Sequence, residues 1–268
     1  MPLTETDIDN AVIVDRASFL LTAEQAAARG AVIEAYALII LNQPINDLDL
    51  LDRVWKSSTI RACADGGANR LFDALTESTR IKYKPDFIAG DLDSLRKDVQ
   101  AYYESQGVPV YHSPDQYSTD FGKCLMHLSR DGKNEHLPIV ALGGTGGRVD
   151  QQFHSIHTLF VHEVEADEND SRPDHRKRKV TLLSDDSLTF LVLPGTSKIY
   201  TPRSVVGPTC GLIPILGETI ISIKDFTWDV EDWHSSFGSQ VSTSNAMESD
   251  DVYVKCDKTI VFTVEIRR

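Results

Sequence analysis

The chain has 268 residues, 41% of them hydrophobic and 25% charged, which serves one large globular domain or two modest ones. Against 27 basic side chains stand 40 acidic ones, a formal charge of −13 whose field repels nucleic acid and anionic membrane and argues against both as partners. A phosphate-rich substrate must then be held locally, by metal ions, backbone N–H groups and a few placed cations.

At the amino terminus Glu5, Asp7 and Asp9 stand where a signal peptide needs positive charge, and apolar runs such as Ala37 to Leu41 are too short to span a bilayer. Cys63, Cys124, Cys210 and Cys256 are widely spaced with no CxxC pair, the pattern of reduced thiols in a cytoplasmic protein. Residues 1–31 have no clear period and are set apart as an arm, with a short helix over Ala23 to Arg29.

From Tyr36 the pattern changes. Ala37 to Leu41 reads as a buried strand, and Leu48, Leu51, Val54 and Trp55 follow at helical spacing. The same unit recurs as Ile60 to Ala64 before a helix from Ala68, Phe87 to Ala89 before a helix near Leu95 to Tyr103, Val108 to Tyr111 before a helix from Asp120, and Leu137 to Leu142 before a helix from Arg148 to Val161. Residues 32–162 are therefore expected to form an α/β domain, a mostly parallel sheet flanked by helices in a Rossmann-like three-layer arrangement, with ligands at the carboxyl ends of its strands. Residues 163–179 carry an acidic run and then a basic one, expected as a charged linker or surface excursion. Beyond them the period becomes two, as in Val252, Val254, Cys256 and in Ile260, Phe262, Val264, Ile266, so residues 180–268 are expected to form an all-β sandwich.

Four polar turns leave the strands of the α/β domain. Asp91 and Asp93, in Gly90 to Ser94, offer two carboxylates able to converge on one hard cation; the same residues could instead cap the next helix. Asp120 and Lys123 share a helix face at i, i+3, a carboxylate and a cation suited to a metal–phosphate complex or merely to the helix dipole and solvent. Gly143-Gly144-Thr145-Gly146-Gly147-Arg148 opens a helix as a phosphate cradle would, yet matches neither GxxxxGK[ST] nor GxGxxG. Asp65-Gly66-Gly67-Ala68-Asn69 is the fourth, either a ligand loop or a tight turn. Their gathering at one sheet edge favours a Mg²⁺-dependent enzyme that transfers a phosphorus-containing group from a nucleotide.

The ordered series DGGANRLFD (65–73), GDLDS (90–94), DQYSTDFGKCL (115–125) and GGTGGRVDQ (143–151), with CGLIPI (210–215), TWDV (227–230) and VSTSN (241–245), resembles thiamine pyrophosphokinases, the fungal ones especially, over roughly residues 36–266. The resemblance implies transfer of diphosphate from ATP to the hydroxyethyl group of thiamine with release of AMP, in a homodimer with thiamine at the subunit interface. It also implies that Asp91, Asp93 and Asp120 hold Mg²⁺, with Asp65 and Asp150 close by. Asp65, Gly66, Asn69, Gly143, Gly144, Arg148, Asp150 and Gln151 would bind ATP, with Gly143, Gly144 and Arg148 cradling its phosphates and Asn69 and Gln151 near the nucleotide, and Lys123 would offset phosphate charge. Gln116, Trp228, Ser244 and Asn245 would line the thiamine site. Two other readings stay open: a phosphatase of haloacid-dehalogenase type with Asp91 as nucleophile, and a non-catalytic thiamine- or nucleotide-binding protein.

Overall fold

The computed structural model describes residues 2–115, 117–164 and 178–267, in two compact units: Ala35–Asp185, and Met1–Glu34 together with Asp186–Arg268. The chain opens with α1 (Glu5–Asp9), β1 (Val12–Asp15) and α2 (Ala23–Arg29). Both helices start on a threonine capping box, Thr4 with Asp7 and Thr22 with Gln25.

The α/β unit then alternates β2 (Ala37–Ile40), α3 (Leu48–Ser57), β3 (Ile60–Ala64), α4 (Gly67–Ala74), α5 (Glu77–Arg80), β4 (Phe87–Gly90), α6 (Lys97–Ser105), β5 (Val110–His112), α7 (Asp120–Arg130), β6 (Ile139–Leu142), α8 (Val149–Glu163) and β7 (Val180–Leu183). Its strands lie in the order β7-β6-β2-β3-β4-β5, each neighbouring pair parallel. β2, β4 and β6 are buried along their whole length, so they read as unbroken apolar runs. Helix α3 turns Leu50, Leu51, Val54 and Trp55 inward and starts on Asp47, whose Oδ1 accepts from Leu50 N at 2.8 Å. Helix α7 starts on Thr119 and buries Phe121, Cys124, Leu125 and Leu128. At about 2 kcal/mol for each buried aliphatic side chain, these faces outweigh helix propensity in holding the layers.

The chain runs outward from β2 through β3 and β4 to β5, then returns to lay β6 on the other side of β2. The connections diverge between the carboxyl ends of β2 and β6, where such a sheet opens a ligand crevice.

The second unit continues with β8 (Ser187–Val192), β9 (Gly195–Tyr200), β10 (Val206–Ile213), β11 (Thr219–Lys224), β12 (Trp233–Ser235), β13 (Ser242–Ala246), β14 (Asp251–Cys256) and β15 (Ile260–Ile266). Strands β8-β15-β10-β13 pair antiparallel in that order, and β1-β9-β14-β11-β12 form another sheet. The alternation read from the sequence is that of β14, with Val252, Val254 and Cys256 buried.

Two boundaries differ from the sequence reading. Val180–Leu183, grouped there with the β domain, pairs parallel with β6 and is wholly buried, a short apolar run of the kind a parallel sheet uses. The arm set apart at 1–31 joins the β unit: β1 pairs parallel with β9, and Lys255 Nζ donates to Asp7 Oδ2 at 2.9 Å. Val12 and Ile13 are 66% and 74% exposed, so β1 is held through its backbone and carries no burial pattern to read. Of the charged segment, residues 165–177 lie outside the described residues.

Candidate active site

Asp65 directly follows strand β3, is 1% exposed and takes a positive φ of 43°. Strand β4 ends on Gly90 with Asp91 directly after it, and Leu92 turns the chain with φ 65°, a costly conformation for a bulky side chain and one that marks a constrained turn. Helix α7 brings Asp120 at its first position. A Cβ on Gly90 would stand 2.6 Å from Asp65 Cβ and 3.1 Å from Asp120 Oδ1, so the missing side chain is what lets these acids approach.

One oxygen from each of Asp65, Asp91 and Asp120 lies within 4.8 Å of the other two. Backbone donors hold the acids in place: Asp91 N donates to Asp120 Oδ1 at 3.2 Å and Ser94 N to Asp65 Oδ2 at 3.1 Å. Asp65 Oδ1 is buried with no hydrogen-bond partner among the described residues. Lys123, buried one turn into α7, donates to Asp91 Oδ2 at 2.9 Å and to Asp120 Oδ1 at 3.1 Å.

The charges settle accordingly. Burial, opposed by the Ser94 bond and reinforced by the neighbouring carboxylates, pushes the Asp65 carboxyl up to about 6. The hydrogen bond from Lys123 keeps Asp91 below the usual carboxylate range. Burial works against the Lys123 charge, but its bonds to Asp91 and Asp120 outweigh that and hold the ammonium above its ordinary value. Asp93 lines the same cavity but is not in the clustered set; its Oδ1 accepts from the Ser94 hydroxyl at 2.8 Å.

The cavity, about 370 Å³, is bounded on one side by Asp91, Asp93 and Asp120 and on the other by Gly143, Gly144, Gly146, Arg148 and Gln151. The amides of Gly143 and Gly144 donate to the Leu183 carbonyl at 2.8 and 3.1 Å. These two glycines therefore anchor the loop to β7, and an anion would meet N–H groups further along the turn. Arg148 forks onto Asp150 at 3.1 and 2.5 Å, both side chains exposed, so Asp150 belongs to the mouth of α8 and stands outside the acidic cluster expected to include it.

Asn69 is a brace: it donates to Ser94 O at 2.8 Å and accepts from Arg96 N at 3.1 Å, fixing the exit of the acidic turn. Gly66 precedes α4 and packs on the Asn42 side chain. In the β unit Trp228 and Asn245 come together, Trp228 N donating to Asn245 Oδ1 at 3.3 Å and Asn245 Nδ2 to Trp228 O at 3.1 Å, beside Ser244 at φ 62°. Asn245 is buried and Trp228 is 61% exposed. Gln116 lies outside the described residues.

Sequence reading missed Asn42 and Gln43, which line the cavity from the end of β2. Gln43 packs into the glycine loop so closely that a Cβ on Gly147 would lie 2.5 Å from its Nε2. The available signal was Asn-Gln-Pro directly after the first strand, at the edge where the other four turns fall. His154 and Ser155 on α8 also line the cavity and were not anticipated.

A cluster of carboxylates around one buried lysine, opposite a glycine loop at a helix start, is an arrangement for binding the phosphates of a nucleotide together with a hard cation. Comparison with known proteins narrows this. The family model "Thiamin pyrophosphokinase, catalytic domain" matches residues 51–168, and "Thiamin pyrophosphokinase, vitamin B1 binding domain" matches residues 196–261. The chain is 37% identical to thiamine pyrophosphokinase 3 of Oryza sativa over 250 residues, 87% of this chain and 88% of the relative. It is 33% identical to the thiamine pyrophosphokinase of Saccharomyces cerevisiae over 283 residues, 87% and 86% of the two chains. Among solved structures, yeast thiamin pyrophosphokinase superposes with a TM-score of 0.81 at 29% identity, covering 100% of this chain and 95% of that one. The Candida albicans enzyme gives 0.78 at 26%, covering 100% and 96%. With both domains matched in order, neither the phosphatase nor the non-catalytic reading is favoured. The chain belongs to the thiamine pyrophosphokinase family, and its activity is the transfer of diphosphate from ATP to thiamine.

Proposed function

We propose that this transfer takes place at the cavity between the acidic cluster and the glycine loop, with Mg²⁺ held by Asp91, Asp120 and Asp65 and with Asp93 at the rim. The donor set fits: three oxygen ligands of a hard cation converge, and the buried Asp65 Oδ1 has no other partner among the described residues. Bound there, Mg²⁺ would supply positive charge to the phosphate oxygens and draw the carboxylates into their ionised form.

The chain's own residues do the rest. The turn from Gly143 to Arg148 orients the nucleotide phosphates at the start of α8, with Gln151 beside them, and Lys123 offsets charge gathering on the transferred group. The thiamine hydroxyl attacks the β-phosphorus, a new O–P bond forms as the bond to the α-phosphate oxygen breaks, and AMP leaves. Asp120 accepts the hydroxyl proton. Positioning and electrostatics carry the acceleration.

Thiamine is taken up by Trp228, Ser244 and Asn245 with Gln116, the indole face suiting the thiazolium cation. Homodimerisation with thiamine at the subunit interface is part of this reading. A cytoplasmic location is supported by four free, buried cysteines; among the described residues no helix is long and apolar enough to cross a membrane.

The observation that carries the reading is the convergence of Asp65, Asp91 and Asp120 on the cavity that the glycine loop closes. An assay of AMP formation with and without thiamine tests it: AMP should appear only with thiamine and Mg²⁺ together. Release of inorganic phosphate with a labelled Asp91 would reverse it.

A further inference from the structure

We propose that His154 is a positioning residue for the transfer, tying the helix that follows the glycine loop to the helix that presents Asp120 and Lys123. His154 Nε2 and Thr119 Oγ1 are 3.0 Å apart. Thr119 is the N-cap of α7: its Oγ1 also accepts from Gly122 N at 3.3 Å, and its carbonyl accepts from Lys123 N at 2.8 Å. The two residues that carry a carboxylate and a cation into the site thus hang from one threonine, and α8 grips that threonine through His154.

The bond also lies at a boundary. Thr119 and His154 both line the 370 Å³ cavity, and both line a neighbouring one of about 310 Å³ with Met126, His157 and Val161. They form a shared wall between the two. Phosphates resting on the turn before α8 and acids at the start of α7 must keep one relative position for in-line attack, and a displacement of about 1 Å can cost a hundredfold in rate. The Thr119–His154 bond is placed to fix that distance by joining the start of α7 to α8.

This inference rests on the assignment of the acidic cluster and glycine loop proposed above. Its test compares His154→Gln, which keeps a polar nitrogen at similar reach, with His154→Met, which has similar length and no such atom. His154→Met should lower kcat about tenfold with KM for MgATP changed less than about twofold, and His154→Gln should restore most of the rate. Thr119→Ser, which keeps both cap and hydroxyl, should retain kcat. Thr119→Val should lose it, and adding His154→Met to Thr119→Val should cost nothing further. Equal kcat in the Met and Gln variants, or losses that simply add, would overturn the inference. Normal turnover in Asp91→Asn would instead overturn the site assignment beneath it. An inactive Asp91→Asn with a normal His154→Met overturns the positioning role alone.

Discussion

Lys123 Nζ sits 2.9 Å from Asp91 Oδ2 with a side chain only 2% exposed, while Asp91 and Asp120 keep 19% and 33% of theirs in solvent. A cation is thus buried beneath carboxylates that remain open to the cavity. Lys123→Met leaves the acids facing one another, and without metal it should destabilise the fold by about 1–3 kcal/mol, less than a fully buried pair because the acids are partly solvated. Added Mg²⁺ should recover part of the thermal midpoint but not the turnover. A variant as stable and active as the parent would show the pair to be incidental.

Asp91→Asn keeps the shape of the turn and removes the charge that the cation and Lys123 both meet. Turnover should fall by about 10² or more with the fold intact by circular dichroism. Near-normal activity at saturating Mg²⁺ would refute the metal assignment.

Asp65 gives the pH dependence. Its folded-state pKa is pushed from 3.8 up to about 6 by burial, so the native chain holds this proton more tightly than the unfolded one. The group's contribution is therefore fully present below about pH 4 and is lost as pH rises through about 6, by on the order of 2–3 kcal/mol. In the presence of a chelator, Asp65→Asn should melt with a flatter pH profile between 4 and 7 and be the more stable protein at pH 7. Parallel profiles for parent and variant would contradict this.

Gly90→Ala places a methyl against Asp65 Cβ and Asp120 Oδ1, at 2.6 and 3.1 Å before any relaxation. Overpacking here should cost about 2 kcal/mol and spread the carboxylates, so Mg²⁺ affinity in a titration should fall along with rate. Unchanged affinity would mean the cluster tolerates the spread.

Trp228 is 61% exposed, so Trp228→Ala should leave the thermal midpoint almost unchanged. If its face receives the thiazolium, KM for thiamine should rise about 3- to 30-fold with KM for ATP untouched. An equal rise in both would point to a general loosening.

Much of the α/β unit was legible because its determinants are local. Apolar runs at Ala37, Ile60, Phe87 and Ile139, and the helical spacing of Leu51, Val54 and Trp55, report burial directly in the order of residues. The acidic turn at Asp91 and the glycine loop at Gly143 were visible for the same reason: each is one short segment at a strand end. The sequence alone therefore determined the fold class, the candidate cation and phosphate loops, and the family.

Which of those residues meet was decided by the tertiary structure. Asp65, Asp91 and Asp120 come from three separate strand–helix junctions, and only the parallel register of β3 against β4, with α7 laid beside them, selects Asp65 for the cluster over Asp93 and Asp150. Gln43 reaches the glycine loop because β2 and β6 are neighbours, although about 100 residues separate them in the chain. Strand β1 joins its sheet through backbone bonds that no side-chain pattern encodes. Contacts of this kind depend on distances between segments, and those distances exist only once the strands are paired and the helices packed.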